Sequence, residues 1–222
     1  MPDPVTISVE IVSDIACPWC YLGKRRLEAA VEALGGAVRL DVRWRPFLLD
    51  PDVPAGGVPY HAYLAAKFGS PAAVEAAHER LTELGRAAGI AYAFKAIERR
   101  VDTVDAHRVL MWAGEAGVQD AAAEALFRRQ FVTAEDVSDP VVLAAAAEEA
   151  GLDGDEVADW LATDVDRAAV VAAVAEVQRI GVSGVPFMIF EGKYAVSGAQ
   201  ESALLARALA EMAEEKRFGA KA

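Results

Sequence analysis

Residues Val5 to Val12 alternate, with Ile7, Val9 and Ile11 apolar and Thr6, Ser8 and Glu10 polar, which is the period of a half-buried strand. Val38 to Trp44 repeats the pattern: Val38, Leu40, Val42 and Trp44 alternate with Arg39, Asp41 and Arg43. Between them a helix is predicted to open at Cys17-Pro18-Trp19-Cys20 and run to about Leu34. Pro18 suits the first helical position, where its missing N–H has no intrahelical partner anyway. Gly35-Gly36 supplies the left-handed backbone that ends a helix. A β-α-β opening normally makes a parallel pair with the helix on one face.

A loop rich in breakers follows (Pro46, Pro51, Pro54, Gly56, Gly57, Pro59), and then alanine-dense helical spacing for more than a hundred residues. One helix is predicted from Ala106, Val109, Leu110, Ala113 and Ala116, and another from Ala123, Leu126, Phe127, Gln130 and Phe131. Asp139-Pro140 starts a helix that Gly151 stops; Asp153 and Glu156 have capping-box spacing ahead of Val157, Trp160 and Leu161. Val170, Val174 and Val177 carry the pattern to Gly181. The strand signal returns at Val185 to Phe190. Glu191-Gly192-Lys193 is a turn and Tyr194 to Val196 a partner strand. The last helix is expected to bury Leu204, Leu205, Ala208 and Met212. This order predicts an α/β chain whose ends, residues 1–60 and 180–222, build one sheet, with residues 61–179 as an inserted all-helical domain.

The chain has 222 residues, of which 54% are hydrophobic, enough for a sizeable core. Lys plus Arg number 22 against 34 Asp plus Glu, a formal charge of −12 that disfavours nucleic acid and anionic membrane as partners. Lys24, Arg25 and Arg26 form a small basic run, read as a solvated helix face. The opening Met-Pro-Asp-Pro has no basic leader segment, and no stretch reaches the ~18 apolar residues of a membrane span. The expected location is therefore cytoplasmic. In a reducing compartment a cysteine pair is redox-active or metal-binding rather than a permanent staple.

Cys17 and Cys20, one turn apart on a helix, place their Cα atoms roughly 5–6 Å apart, inside the window for an unstrained disulfide. Cys17 sits at the helix start, where free N–H groups and the macrodipole favour negative charge; Cys20 lies one turn deeper. Such a pair can exchange disulfides. Cys17 attacks a substrate disulfide, and Cys20 then attacks Cys17 to release the reduced substrate. Zinc needs four ligands, whereas the chain offers two cysteines and three scattered histidines, His61, His78 and His107, so no metal is expected. Two unrelated structural cysteines remain the bland alternative. Against it stands the strand–turn–helix setting. A second element, Gly184-Val185-Pro186, precedes the late strand. Proline at a strand's first residue can be neutral. A cis Val185–Pro186 bond would bring the Val185 backbone near Cys17, if the late hairpin pairs with the first strand, and there it could bind an extended substrate.

With both elements in view the chain resembles the DsbA-like branch of the thioredoxin fold, specifically its FrnE-like cytosolic members. The run from Ser13 through Cys17-Pro18-Trp19-Cys20 to Arg26 carries the likeness, with Arg43-Trp44-Arg45-Pro46-Phe47 and Asp105-Ala106-His107-Arg108. Gly184-Val185-Pro186-Phe187 and Ala195-Val196-Ser197-Gly198-Ala199-Gln200 complete it in the family's order. The resemblance implies a thioredoxin domain with a helical insertion, a nucleophilic Cys17 and a cis Pro186; Val185, Pro186, Pro18 and Trp19 are the expected substrate-binding residues. It implies a thiol or disulfide substrate, no cofactor beyond the Cys17–Cys20 couple, and leaves glutathione open as a reductant. The oligomeric state is not legible. Secreted relatives carry a signal peptide, and none is expected here. Glutathione-dependent relatives typically have serine where Cys17 stands and lack the cysteine matching Cys20.

Smaller features keep two readings. Asp14 either ends the strand or relays protons; His107 is either a satisfied structural histidine or an auxiliary catalytic group. Trp112, Phe127 and Phe131 read most simply as core. Beside disulfide exchange stand two other functions: a glutathione-dependent isomerase or transferase acting on a small aromatic or polyketide-like compound, and a non-catalytic redox-sensing module.

Overall fold

Strand β1 (Val5–Ser13) leads through a short turn into helix α1 (Pro18–Ala33) and back along β2 (Val38–Pro46). The structure, a computed structural model, describes residues 3–219; the expected sheet-forming portion extends beyond these at both ends, to residues 1–2 and 220–222. After β2 come β3 (Val58–Pro59), α2 (Tyr60–Phe68), α3 (Pro71–Ala87), a 3-10 turn (Phe94–Ala96) and β4 (Arg99–Arg100). Then follow α4 (Val104–Glu115), α5 (Gln119–Arg128) running into a π-turn (Arg129–Thr133), α6 (Pro140–Ala150), α7 (Gly154–Leu161) and α8 (Arg167–Arg179). The chain closes with β5 (Phe187–Phe190), β6 (Tyr194–Ser197) and α9 (Ser202–Gly219).

The predicted sheet forms, in the order β2-β1-β5-β6. β1 and β2 run parallel, from Val5 opposite Val38 to Ser13 opposite Pro46. β5 is antiparallel to β1, with Val12 opposite Phe187. Alternation selects the faces: Ile7, Val9 and Ile11 are at most 2% exposed and belong to the main core with α1 and α9. Val12 points the other way and joins Phe47 with Val177 and Val182, at the end of α8. One hydrophobic cluster continues from the sheet into the helices, where Phe127 stacks on Tyr21 at 5.3 Å and meets Trp44 edge-on at 5.8 Å.

Caps act where the sequence places them. The Asp139 carboxylate accepts from the Val141 N–H at 2.9 Å, and that of Asp153 from the Asp155 and Glu156 N–H groups at 3.0 and 3.1 Å. Gly151 ends α6 with φ 105°.

Several expectations are corrected. The late strand starts at Phe187, because Pro186 has no N–H to give a ladder and the Val185–Pro186 bond is cis. The breaker-rich loop contains β3, paired with Arg99 and Arg100 in a ribbon too short for alternation to register. Ala116 is exposed beyond the end of α4, where Gly117 turns left-handed at φ 76°. Leu204 is 44% exposed: the buried stripe of α9 is Leu205, Leu209 and Met212, at i, i+4 and i+7, and Leu204 lies a residue off it. The Lys24–Arg26 run is not a solvated face. Lys24 is 4% exposed and pairs with Glu28, Asp120 and Glu124; Arg25 also reaches Glu124, and Arg26 donates to the Ala199 carbonyl at 2.6 Å. Helix α1 is held between α5 and the α9 side by its own cations.

Candidate active site

Cys17 is the N-cap residue of α1, with extended backbone (φ −103°, ψ 107°), and Pro18 is the first helical residue. Its N–H donates to the Asp14 carbonyl and its carbonyl accepts from the Cys20 N–H, both at 3.0 Å, so a tight turn carries both thiols. Both cysteines are free, Cys17 being 3% and Cys20 1% exposed. The Cys17 thiol points at the Val185 carbonyl, 3.8 Å from its oxygen, beside the cis Val185–Pro186 bond. Four of the expected residues, Cys17, Cys20, Val185 and Pro186, therefore meet at one end of the sheet. Pro18, Trp19 and Val185 are half-buried, and the Arg80 guanidinium lies 6.0 Å from the Trp19 ring.

Gly23 is where the proline loop comes close to α1. A Cβ at this position would lie 3.1 Å from Pro186 Cγ and 3.5 Å from Met188 Cε, so a side chain there would need the proline ring to give by a few tenths of an ångström. Gly23 lies within the resemblance run, but alone it reads only as a weak residue in a helix; the close approach is made by residues far along the chain.

The turn before Cys17 is anchored from below. The Asp14 carboxylate is fully buried and accepts from the Ala16 N–H (3.0 Å), the Leu49 N–H (2.7 Å) and the Thr103 hydroxyl (2.9 Å). His107 Nε2 lies 3.8 Å from the same carboxylate and 3.2 Å from the Phe47 carbonyl. Burial alone would raise the Asp14 pKa; His107, the Arg100 charge and the Leu49 N–H outweigh it and hold it below the usual carboxylate value. Arg100, itself buried, donates to the Ala16 carbonyl at 2.5 Å and pairs with Asp50. Tyr92 donates its hydroxyl to the Pro18 carbonyl at 2.6 Å, and burial, followed by the charge of Cys17, pushes its pKa up. Among the described residues no hydrogen bond joins Asp14 or His107 side chains to either sulfur; both anchor the turn. Tyr92, Arg100 and Thr103 escape sequence reasoning because nothing local links them to Cys17.

The two thiols differ. Burial, and then the hydrogen bond and charge of Cys17, raise the Cys20 pKa well above the ordinary thiol value. The charged form of Cys20 is therefore disfavoured. Two hollows of about 1070 and 860 Å³ lie elsewhere, and neither is lined by a cysteine. Among the described residues no group of three or more His, Cys, Asp or Glu is placed to hold a metal, and no helix is long and apolar enough to cross a membrane.

A DsbA-like thioredoxin domain matches residues 8–210. The chain belongs to the DsbA-like thioredoxin family. Among solved structures, a probable DsbA oxidoreductase from Streptomyces coelicolor is 36% identical, covers 92% of this chain and 89% of its own, and superposes with a TM-score of 0.84. A cytosolic disulfide reductase, DsbM, from Pseudomonas aeruginosa shares the DsbA-like fold at 20% identity, with 92% of this chain and 98% of its own covered and a TM-score of 0.66. That reductase has also been solved with GSH. A 2-hydroxychromene-2-carboxylate isomerase has the same fold at 16% identity, 95% and 98% coverage and a TM-score of 0.71. No curated protein matches the chain in sequence.

Proposed function

We propose that this DsbA-like protein is a cytoplasmic thiol–disulfide oxidoreductase of the FrnE-like branch, working through the Cys17-Pro18-Trp19-Cys20 centre. The observation that carries the reading is the meeting of Cys17 with the Val185 carbonyl at the cis-proline loop, with a second buried thiol, Cys20, one helical turn away. The Cys17 thiolate attacks one sulfur of a substrate disulfide. A Cys17–substrate disulfide forms, and the other substrate sulfur leaves and takes up a proton. Cys20 then attacks Cys17, the intramolecular disulfide forms, and the second substrate thiol departs; the substrate has gained the two electrons the dithiol lost. An external thiol returns the couple to the reduced state, and glutathione is the natural candidate, given the GSH complex of the DsbM neighbour. Pro18, Trp19 and Val185 receive an extended substrate segment, and residues 61–179 act as a helical cover that contributes Tyr92 and Arg80.

The test is reduction of a model disulfide protein with dithiothreitol or glutathione as final reductant. Cys17→Ser should lose turnover, and Cys20→Ser should stall with substrate bound through Cys17. Iodoacetamide should label Cys17 ahead of Cys20 near neutral pH. Wild-type turnover by both single variants would end the dithiol reading. Glutathione-dependent isomerisation of a chromene carboxylate that survives in Cys20→Ser would replace it with the isomerase reading.

A further inference from the structure

The four-stranded sheet has two edges, and β2 forms the longer one, with nine residues against four in β6. The Phe47 N–H donates to the Ser13 carbonyl, and the Ala37 carbonyl accepts from the Val5 N–H. Odd-numbered residues of β2 therefore turn their backbone groups to β1, and even-numbered ones turn theirs outward. At Trp44 that edge is filled. The Gln119 side chain accepts from the Trp44 N–H at 2.8 Å and donates to the Trp44 carbonyl at 3.2 Å. Leu40 and Val42 have no such guard among the described residues. Both are half-buried, and both border the open hollow of about 1070 Å³. An unpaired row of N–H and C=O groups is a template for another strand unless charge or a plug blocks it. The exposed side chains of Arg39, Asp41 and Arg43 share one face of the strand and alternate in sign. A strand so patterned repels a copy of itself in some registers and attracts it in others.

We propose that this part of the β2 edge pairs antiparallel with the same edge of a second copy, about a two-fold axis at Leu40. The charges and Gln119 select that register. An axis at Asp41 would set Asp41 against itself and Arg39 against Arg43, and like charges directly opposite destabilise a pair. An axis at Arg39 fails in the same way. An axis at Val42 would bring Leu40 against Trp44, where Gln119 already stands. The axis at Leu40 sets Arg39 against Asp41 twice, once on each side, and places Val38 opposite Val42. Leu40 exchanges both backbone bonds with its own copy, as a self-complementary interface requires. Arg39 is held on its face of the sheet by a hydrogen bond to the Thr6 hydroxyl at 3.1 Å. A second copy fits better than a foreign peptide because the strand itself carries the matching charges. Cys17 follows the end of β1, which runs parallel to β2, so the two cysteine sites lie at opposite ends of the joined sheet.

Sedimentation equilibrium up to about 1 mM protein tests this, a range that reaches the weak association of a small interface. The wild type should dimerise. Arg39→Asp and Asp41→Arg should each weaken dimerisation about tenfold or more, because each turns two attractive pairs into two repulsive ones. An equimolar mixture of the two variants should form a heterodimer, in which every opposed pair is again of opposite sign. The double variant carrying both changes should dimerise within about threefold of wild type for the same reason. Both side chains are exposed, so circular dichroism should show wild-type folding, and recovery on mixing could not come from a damaged fold. A wild type that stays monomeric at about 1 mM overturns the proposal. So does a dimer indifferent to either reversal, or a pair of variants that ignore each other on mixing.

Discussion

Two buried polar clusters organise this chain, one around Arg108 in the helical segment and one around Asp14 under the cysteines. The Arg108 side chain is 0% exposed, and each of its three nitrogens meets an acceptor: Val165 O at 2.7 Å, Asp105 Oδ1 at 2.9 Å, Trp160 O at 2.7 Å and Thr163 O at 2.8 Å. Arg167 closes the arrangement on Asp105 at 2.7 Å, and the Trp112 ring lies 5.0 Å from the guanidinium. The cluster locks α4 to the turn between α7 and α8. The Asp14 cluster is equally buried and locks the turn before Cys17, but it leaves one group, the Ser13 hydroxyl, without a partner. A closed network holds one structure. The contrast separates a polar cluster whose groups are matched from one beside a buried hydroxyl that is left unmatched.

The largest expected effect is on the closed cluster. Arg108→Ala leaves three carbonyls without their donor and Asp105 with Arg167 alone, and should cost about 3–5 kcal/mol, read from the urea midpoint. A loss below about 1 kcal/mol would mean that the cluster is not the clamp described here. Asp14→Asn comes next, at about 1–3 kcal/mol near neutral pH, because the amide NH2 would meet another donor, Thr103 or the Leu49 N–H. This effect depends on pH. The folded Asp14 pKa is depressed, so the carboxylate adds stability above its ordinary value of 3.8 and loses it as pH falls through the lower folded value. The gap between wild type and Asp14→Asn should hold steady at neutral pH and narrow in acid; a gap that widened in acid would reverse the sign argued here.

Tyr92→Phe removes a single hydrogen bond to the Pro18 carbonyl and should cost about 1 kcal/mol, with the melting temperature as the measure. Ser13→Ala should change stability least, within about 1 kcal/mol of wild type and on the stabilising side if anything, because a hydroxyl with no partner contributes only its desolvation. A large destabilisation there would place Ser13 with Arg108 as a structural group and erase the contrast between the clusters.

The legible parts of the fold were those carried by local period. Alternation along Val5–Val12 and Val38–Trp44 marked two strands that pair in parallel, and Pro18 marked the start of α1. The two-residue ribbon of Val58–Pro59 with Arg99–Arg100 is too short to have a period. The Lys24–Arg26 run reads as solvent-facing only while its partners are unknown; Asp120 and Glu124 lie about a hundred residues away.

By itself, the sequence determined that a helix starts at Pro18 with one cysteine at its cap and the other a turn inside, that strands flank it, and that a Val185–Pro186 element follows much later. Those are statements about neighbours in the chain, where backbone geometry and side-chain period act directly. Only the tertiary structure decided that Val185 faces Cys17, that Gly23 is where Pro186 approaches α1, and that Tyr92 and Arg100 grip the turn. It also decided that Ser13, an ordinary strand-end serine in the sequence, has its hydroxyl sealed from solvent with nothing to bond. The reason is physical: burial and hydrogen-bond satisfaction depend on groups brought together across the fold, and a one-dimensional pattern reports which side of an element is buried but not what it is buried against.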